Sequence, residues 1–160
     1  MNPIREYYNQ IIDGEIVVPD RVRRTYKHLV DKLENPSQYI YDKDRAEVAI
    51  DFIELFCKHS KGKWAGKPVI LELWQKAMIA ALFGFVDKDT KARQYQELIL
   101  IVARKNGKST VAAAIGLFLL VADGEMGAEI YSAATKRDQA KIRDGSAITL
   151  GWTCGALASW

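Results

Sequence analysis

The sequence predicts an α/β chain: a helical N-terminal region of about ninety residues, then the opening β-α-β-α units of a parallel-sheet domain, incomplete within these 160 residues. Three observations predict it. Apolar residues recur at three- and four-residue spacing through most of the first ninety positions, as on one buried face of a helix. Glu97 to Ala103 (ELILIVA) is a near-continuous apolar run of the length expected for a strand buried on both faces. A helical stretch, a break and a second strand candidate follow it, in the order whose crossover is right-handed.

Taken in order, Ile4, Tyr7, Tyr8 and Ile11 give a first helix from Pro3 to Ile12, closed by Asp13-Gly14, a pair suited to positive φ. Pro19-Asp20 opens a second helix, with Val22, Tyr26, Leu29, Val30 and Leu33 in one stripe and Asn35-Pro36 as its stop. Its other face carries Arg21, Arg23, Arg24, Lys27 and Lys32; such cations can meet phosphates, but a stripe of this kind is ordinarily a solvated face. Asp44 and Glu47 stand at capping-box spacing and open a third helix, with Ala49, Phe52, Ile53 and Phe56 inward and His59, Lys61 and Gly62 as its end. After the link GKWAGKP a fourth helix is expected from about Leu71, with Trp74, Ala77, Met78, Ala81, Leu82 and Phe85 on one side. Beyond ELILIVA come a helix over Lys108 to Ala122, an Asp123-Gly124 break, a strand over Ala128 to Ala134 and a helix from near Lys136. The expected division is 1–92 as the helical region, 93–142 as the partial sheet domain, and 143–160 as an atypical tail rich in small residues and Trp.

Composition bounds the function. With 49% hydrophobic and 27% charged residues the chain is globular, which excludes disorder, collagen and coiled coil. A net charge of +3 permits contact with nucleic acid without requiring it. Two cysteines, Cys57 and Cys154, make no disulfide framework, and MNPIREYY has no apolar stretch for a secretory signal. The apolar run Val111 to Ala122 is too short to span a bilayer. A cytoplasmic protein without a membrane anchor is expected. Cys57 and His59 lie two apart on an expected helix and have no second ligand pair, so no zinc site is expected.

The chemistry concentrates between the first strand and its helix, in ARKNGKST, residues 103–110. A bound triphosphate needs backbone N–H groups at a helix N-terminus, an ammonium reaching the β and γ oxygens, and a hydroxyl for magnesium. Gly107, Lys108 and Ser109 supply these, in the position a P-loop (Walker A) requires. Val102 stands where the first glycine of GxxxxGK[ST] would be, so the string is weak by itself and the strand-loop-helix context carries it. Arg104 can stabilise charge on a transferring phosphoryl group or order the loop through a carboxylate. Lys105 and Asn106 shape the turn, with the Asn106 N–H a candidate phosphate donor, and Thr110 completes the segment.

The chain resembles a known family, the large terminase subunits of tailed bacteriophages, ATP-driven motors that package DNA. Their phosphate loop often lacks the first glycine and carries an Arg, as ARKNGKS does here. YYNQIIDGEIVVPDRVR, KGKWAGKPVILELWQ, YQELILIVARKNGKST and GAEIYSAATKRDQAK resemble successive stretches of one group in that family, from about residue 5 to 142. The resemblance implies a helical lid followed by the first part of a RecA-like P-loop NTPase fold, with ATP and Mg2+ as cofactors. It implies that Lys108 and Ser109 take the β/γ-phosphates and magnesium, that Arg104 is a sensor or catalytic arginine, and that Gln75 of LELWQ reads adenine. Read without the resemblance, Gln75 is an exposed residue on an amphipathic helix, and Trp74 is core. Thr135, Arg137 and Gln139 match a coupling or DNA-facing element; an N-capped surface helix is the ordinary reading. The partners implied are double-stranded viral DNA, the small terminase subunit, the portal protein and further copies of the chain in a ring, inside a bacterial host cell.

The family continues into an acidic strand that positions magnesium and water, and then into a nuclease domain; neither is expected within these residues. EVAIDFIEL has apolar residues before acids, but it lies upstream and has helical period. The chain by itself is therefore expected to be inactive, with the tail from Arg143 reading as a truncated or frameshifted end and a genuine short protein as the alternative. Two further readings stand beside the terminase: another P-loop NTPase such as a helicase-like motor, and a non-catalytic nucleotide-binding module.

Overall fold

The computed structural model describes residues 2–59, 62–103 and 106–124. Five α-helices and one two-stranded ribbon lie among them: α1 (Pro3–Ile12), α2 (Asp20–Glu34), β1 (Tyr39–Tyr41), α3 (Lys43–Phe56), α4 (Leu73–Gly84), β2 (Phe85–Asp87) and α5 (Lys108–Val121), with a short 3-10 turn at Gly62–Trp64. The described residues divide into two compact units, one of 2–50 with 71–99, the other within 51–70 and 100–124.

In the first unit α1 packs on α2 and α4. Asn2 starts α1 by accepting the Ile4 N–H at 2.9 Å, Pro3 supplies a preset φ, and Gly14 at φ 77° turns the chain away after the helix. Ile4, Tyr7 and Ile11 go inward, and Tyr7 meets Tyr26 of α2 edge-on at 4.7 Å. Burial, reinforced by Tyr7, raises the Tyr26 hydroxyl above its ordinary range. On α2, Tyr26, Leu29 and Val30 are buried, and Arg21, Arg23, Arg24 and Lys27 are exposed. Lys32 departs from that face: its ammonium donates to the Tyr95 hydroxyl at 3.2 Å and lies over the same ring.

The helices follow the expected order, with three local corrections. The third helix starts two residues earlier than an Asp44 cap implies, at Lys43, so Asp42 rather than Asp44 does the capping, its Oδ1 accepting the Arg45 N–H at 3.1 Å. Glu47, released from a capping role, pairs with Lys43 at 3.2 Å on the surface. The fourth helix ends at Gly84, and Phe85 leaves its face to begin β2. There it pairs antiparallel with β1 in the register Tyr39↔Asp87, Ile40↔Val86, Tyr41↔Phe85, a ribbon closed by a bond from the Asp42 N–H to the Gly84 carbonyl at 2.7 Å. Phe85, Val86, Ile4 and Ile79 are among the fully buried side chains, each contributing roughly 1.5–3 kcal/mol of transfer free energy.

The largest departure is Glu97 to Ala103. It forms no strand, and Ile99 and Ile101 are 84% and 90% exposed. A strand exists through ladder hydrogen bonds to a neighbour, and no neighbour for this run lies among the described residues. The expected partner strand at 128–134, the helix from Lys136 with Thr135, Arg137 and Gln139, and the tail from Arg143 lie outside the described residues.

In the second unit the C-terminal part of α3 buries Phe52 and Ile53, and Phe52 meets Phe118 of α5 edge-on at 5.5 Å. EVAIDFIEL is helical, as its period predicts. On α5, Val111, Ala113, Ala114, Leu117 and Phe118 are inward, whereas Leu120 and Val121 are half exposed. The link after α3 is a tied turn: the Val69 N–H donates to the Cys57 carbonyl and the His59 N–H to the Lys67 carbonyl, both at 2.9 Å. Among the described residues, no helix is long and apolar enough to cross a membrane.

Candidate phosphate-binding site

Helix α5 begins directly after Gly107, which sits at φ 69° and ψ 4° in the left-handed region. A side chain there would cost on the order of 1–2 kcal/mol, which is why this turn carries a glycine at the helix start. Among the described residues no side chain caps the helix, and its first intrahelical bond is the Val111 N–H to the Gly107 carbonyl at 3.0 Å. The N–H groups of Lys108, Ser109 and Thr110 therefore precede that ladder, at the end of a 14-residue helix whose dipole favours an anion.

Lys108 reaches back over the turn, its ammonium donating to the Val102 carbonyl at 3.4 Å. Val102 occupies the position of the missing first glycine, so the ammonium closes the loop from one end of the motif to the other. A long bond of this kind holds the charge at the mouth of the turn while exchanging readily for a phosphate oxygen, an acceptor carrying full charge. Lys108 is half-buried, and Asn106, Gly107 and Ser109 are exposed. The Ser109 hydroxyl lies in the first helical turn, and Thr110 beside it is half-buried. Asn106, Gly107, Lys108, Ser109 and Thr110 are thus contiguous around one turn. Arg104 and Lys105 lie outside the described residues.

Gln75 is placed differently from the exposed position read from its helix. It is only 6% exposed, and its Oε1 accepts the Glu72 N–H at 3.0 Å while the Glu72 side chain accepts from the Gln75 backbone. This reciprocal pair is a capping box at the start of α4, and the spacing Glu72-x-x-Gln75 was the signal for it. Trp74, expected in the core, is half-buried. A second polar group that the sequence did not single out is Asp87, at the end of β2. Its Oδ1 accepts the Thr90 and Asp89 N–H groups, each at 2.9 Å, and its Oδ2 accepts from the Gln38 amide at 2.9 Å. These bonds, that from Thr90 foremost, hold its carboxyl down to about 2. They fix a turn, and no basic side chain joins them among the described residues.

Residues 73–143 match a family described as "Terminase large subunit, ATPase domain". Over that segment the chain is similar to terminase large subunits. Over 99 residues it is 39% identical to the protein named "Terminase, large subunit" of Enterobacteria phage HK97, an alignment covering 61% of this chain. The chain spans about 18% of that terminase's length. No solved structure matches it. The terminase match begins with α4 and includes Gln75, the 102–110 turn and α5. An α/β ATPase domain accords with the helices and small ribbon described above.

Proposed function

We propose that this chain is an N-terminal part of a phage DNA-packaging motor and that the turn 106–110 is its ATP-phosphate seat. The observation that carries the reading is the combination of left-handed Gly107, an uncapped helix start and the Lys108 ammonium folded across the turn, within the segment related to terminase ATPase domains. These residues suit a magnesium triphosphate: the backbone N–H groups of Lys108 and Ser109 face an anion, the Lys108 ammonium takes the β and γ oxygens, and the Ser109 hydroxyl is an oxygen donor of the kind magnesium takes. Bound magnesium supplies charge neutralisation on the phosphates. Asn106 contributes its backbone N–H and Thr110 supports the turn; Arg104 and Lys105 border it in sequence, with Arg104 as the sensor or catalytic arginine.

Gln75 is proposed to read adenine: its Oε1 is engaged by the Glu72 N–H, and its amide retains donor capacity for a base edge. The domain division at 92/93, the RecA-like character of the complete core, and host-cell location follow from the terminase relationship as proposals. So do the partners: duplex phage DNA, the small terminase subunit, the portal protein and a ring of like subunits. By itself the 160-residue chain is proposed to bind nucleotide without turning it over.

The test is calorimetric titration of the chain with magnesium ATP, followed by the same titration of Lys108→Ala. Loss of a charged hydrogen-bonding partner costs about 1.5–3 kcal/mol, a weakening of roughly 10- to 150-fold. Equal affinity before and after the change would remove the phosphate assignment.

A further inference from the structure

The turn joining α3 to α4 carries features that the nucleotide reading does not use. Residues 58–67 (KHSKGKWAGK) hold four lysines, Lys58, Lys61, Lys63 and Lys67, with no Asp, Glu or Arg. Trp64 stands at its centre, 51% exposed. The Lys63 and Lys67 ammonium groups both lie over the Trp64 ring, 5.2 and 4.7 Å from its centroid. The backbone beneath them is fixed: the Gly66 N–H donates to the His59 carbonyl at 2.8 Å, the Lys67 N–H to the Trp64 carbonyl at 2.9 Å, and Gly66 takes φ 79°. Buried Cys57 and Val69 anchor the two ends.

Two exposed lysines would ordinarily sample many rotamers and lose that freedom on binding. Parked over an indole face they are restricted beforehand, and neither joins an ion pair among the described residues. A large aromatic kept half in solvent to hold two cations apart from any carboxylate makes a prepared polyanion contact. The choice of lysine separates the candidate polyanions. Planar, bidentate carboxylate recognition favours arginine, whereas an ammonium is a point charge suited to sequence-independent contact with phosphodiester oxygens.

We propose that the 62–67 turn is a phosphate-backbone contact for duplex DNA, made by Lys63 and Lys67 and organised by Trp64. The ligand class rests on the packaging reading above, while the site is separate in sequence from the 102–110 turn. The experiment measures anisotropy of a fluorescent DNA duplex titrated with the full chain across a salt series. Each phosphate contact contributes about 0.9 to the slope of log affinity against log salt, so Lys63→Gln with Lys67→Gln should flatten the slope by about 2 and weaken binding tenfold or more near 0.1 M salt. Trp64→Ala should weaken binding several-fold with both charges retained, and Trp64→Phe should restore part of it. Arg23→Gln with Arg24→Gln removes the same charge from the exposed face of α2 and should cost less. Equal losses from both pairs, or displacement of DNA by polyglutamate at equal charge concentration, would overturn the assignment. DNA affinity indifferent to Lys63 and Lys67 in a chain that binds magnesium ATP would sink this proposal alone. Failure to bind either ligand would sink both, and thermal melting of each variant checks that the fold persists.

Discussion

Replacing Gln75 by Ala separates a structural role from a direct adenine contact. The side chain is nearly fully buried, and its Oε1 accepts the Glu72 N–H at 3.0 Å. Losing a helix-capping acceptor costs about 0.5–2 kcal/mol, and leaving the partly buried Glu72 N–H unpaired falls in an overlapping range of about 1–3 kcal/mol. The two describe one lost bond, so the expected destabilisation is about 1–2 kcal/mol, or roughly 2–8 °C in Tm for a chain of this size. Gln75→Met, which fills the space without an acceptor, should cost nearly as much, and Gln75→Glu, which keeps the acceptor, should cost less at the cap. The assay is thermal melting by circular dichroism, alongside titration with ATP and with inorganic triphosphate. Unchanged melting of both Gln75→Ala and Gln75→Met would refute the capping argument. Loss of ATP affinity with triphosphate affinity intact, in a variant that melts normally, would show the amide touching the base directly.

Gly84→Ala should destabilise by about 1–3 kcal/mol, because a Cβ there would meet Tyr41 Cε2 at 2.5 Å and the Ala46 Cβ at 3.2 Å. Combining it with Tyr41→Ala should show a coupling above about 0.5 kcal/mol in a denaturant double-mutant cycle; strict additivity would mean the contact does not form. Asp87 has a folded-state value of about 2 against an ordinary 3.8, so its stabilising contribution is complete above the unfolded value and is lost as pH falls from about 4 towards 2. The Tm gap between the chain and Asp87→Ala should therefore narrow across that window, and a gap constant down to about pH 2 would contradict the bonding described.

The helices were legible because their signals are local. Asn2-Pro3 and Asp13-Gly14 bracket α1, and Pro19 and Asn35 bracket α2, each with an apolar stripe at helical period between. The Asp44 cap is displaced by two residues in a run, YDKD, with two acids able to cap. The β1–β2 ribbon was not legible: each strand has three residues, and Tyr39–Tyr41 is held by a partner more than forty residues away, so tertiary pairing decides it. Glu97 to Ala103 shows the converse, since an apolar run states a need for burial without naming the neighbour that meets it. At the candidate site the helix half of the expected strand-loop-helix context formed, with α5 starting after Gly107, and the strand half did not; the Val102 carbonyl as the lysine's resting partner was not legible, because any residue offers a carbonyl. Gln75 had two sequence signals, and the Glu72-x-x-Gln75 spacing was the one left unused.

The central claim is that the 106–110 turn seats the phosphates of ATP. The most direct measurement is the backbone amide spectrum of the chain during titration with magnesium ATP and with inorganic triphosphate. The account predicts saturable shifts of the Gly107, Lys108 and Ser109 amides with both ligands, lost in Lys108→Ala. Saturable ATP binding that leaves these three amides unmoved, or their equal response in Lys108→Ala, would contradict it.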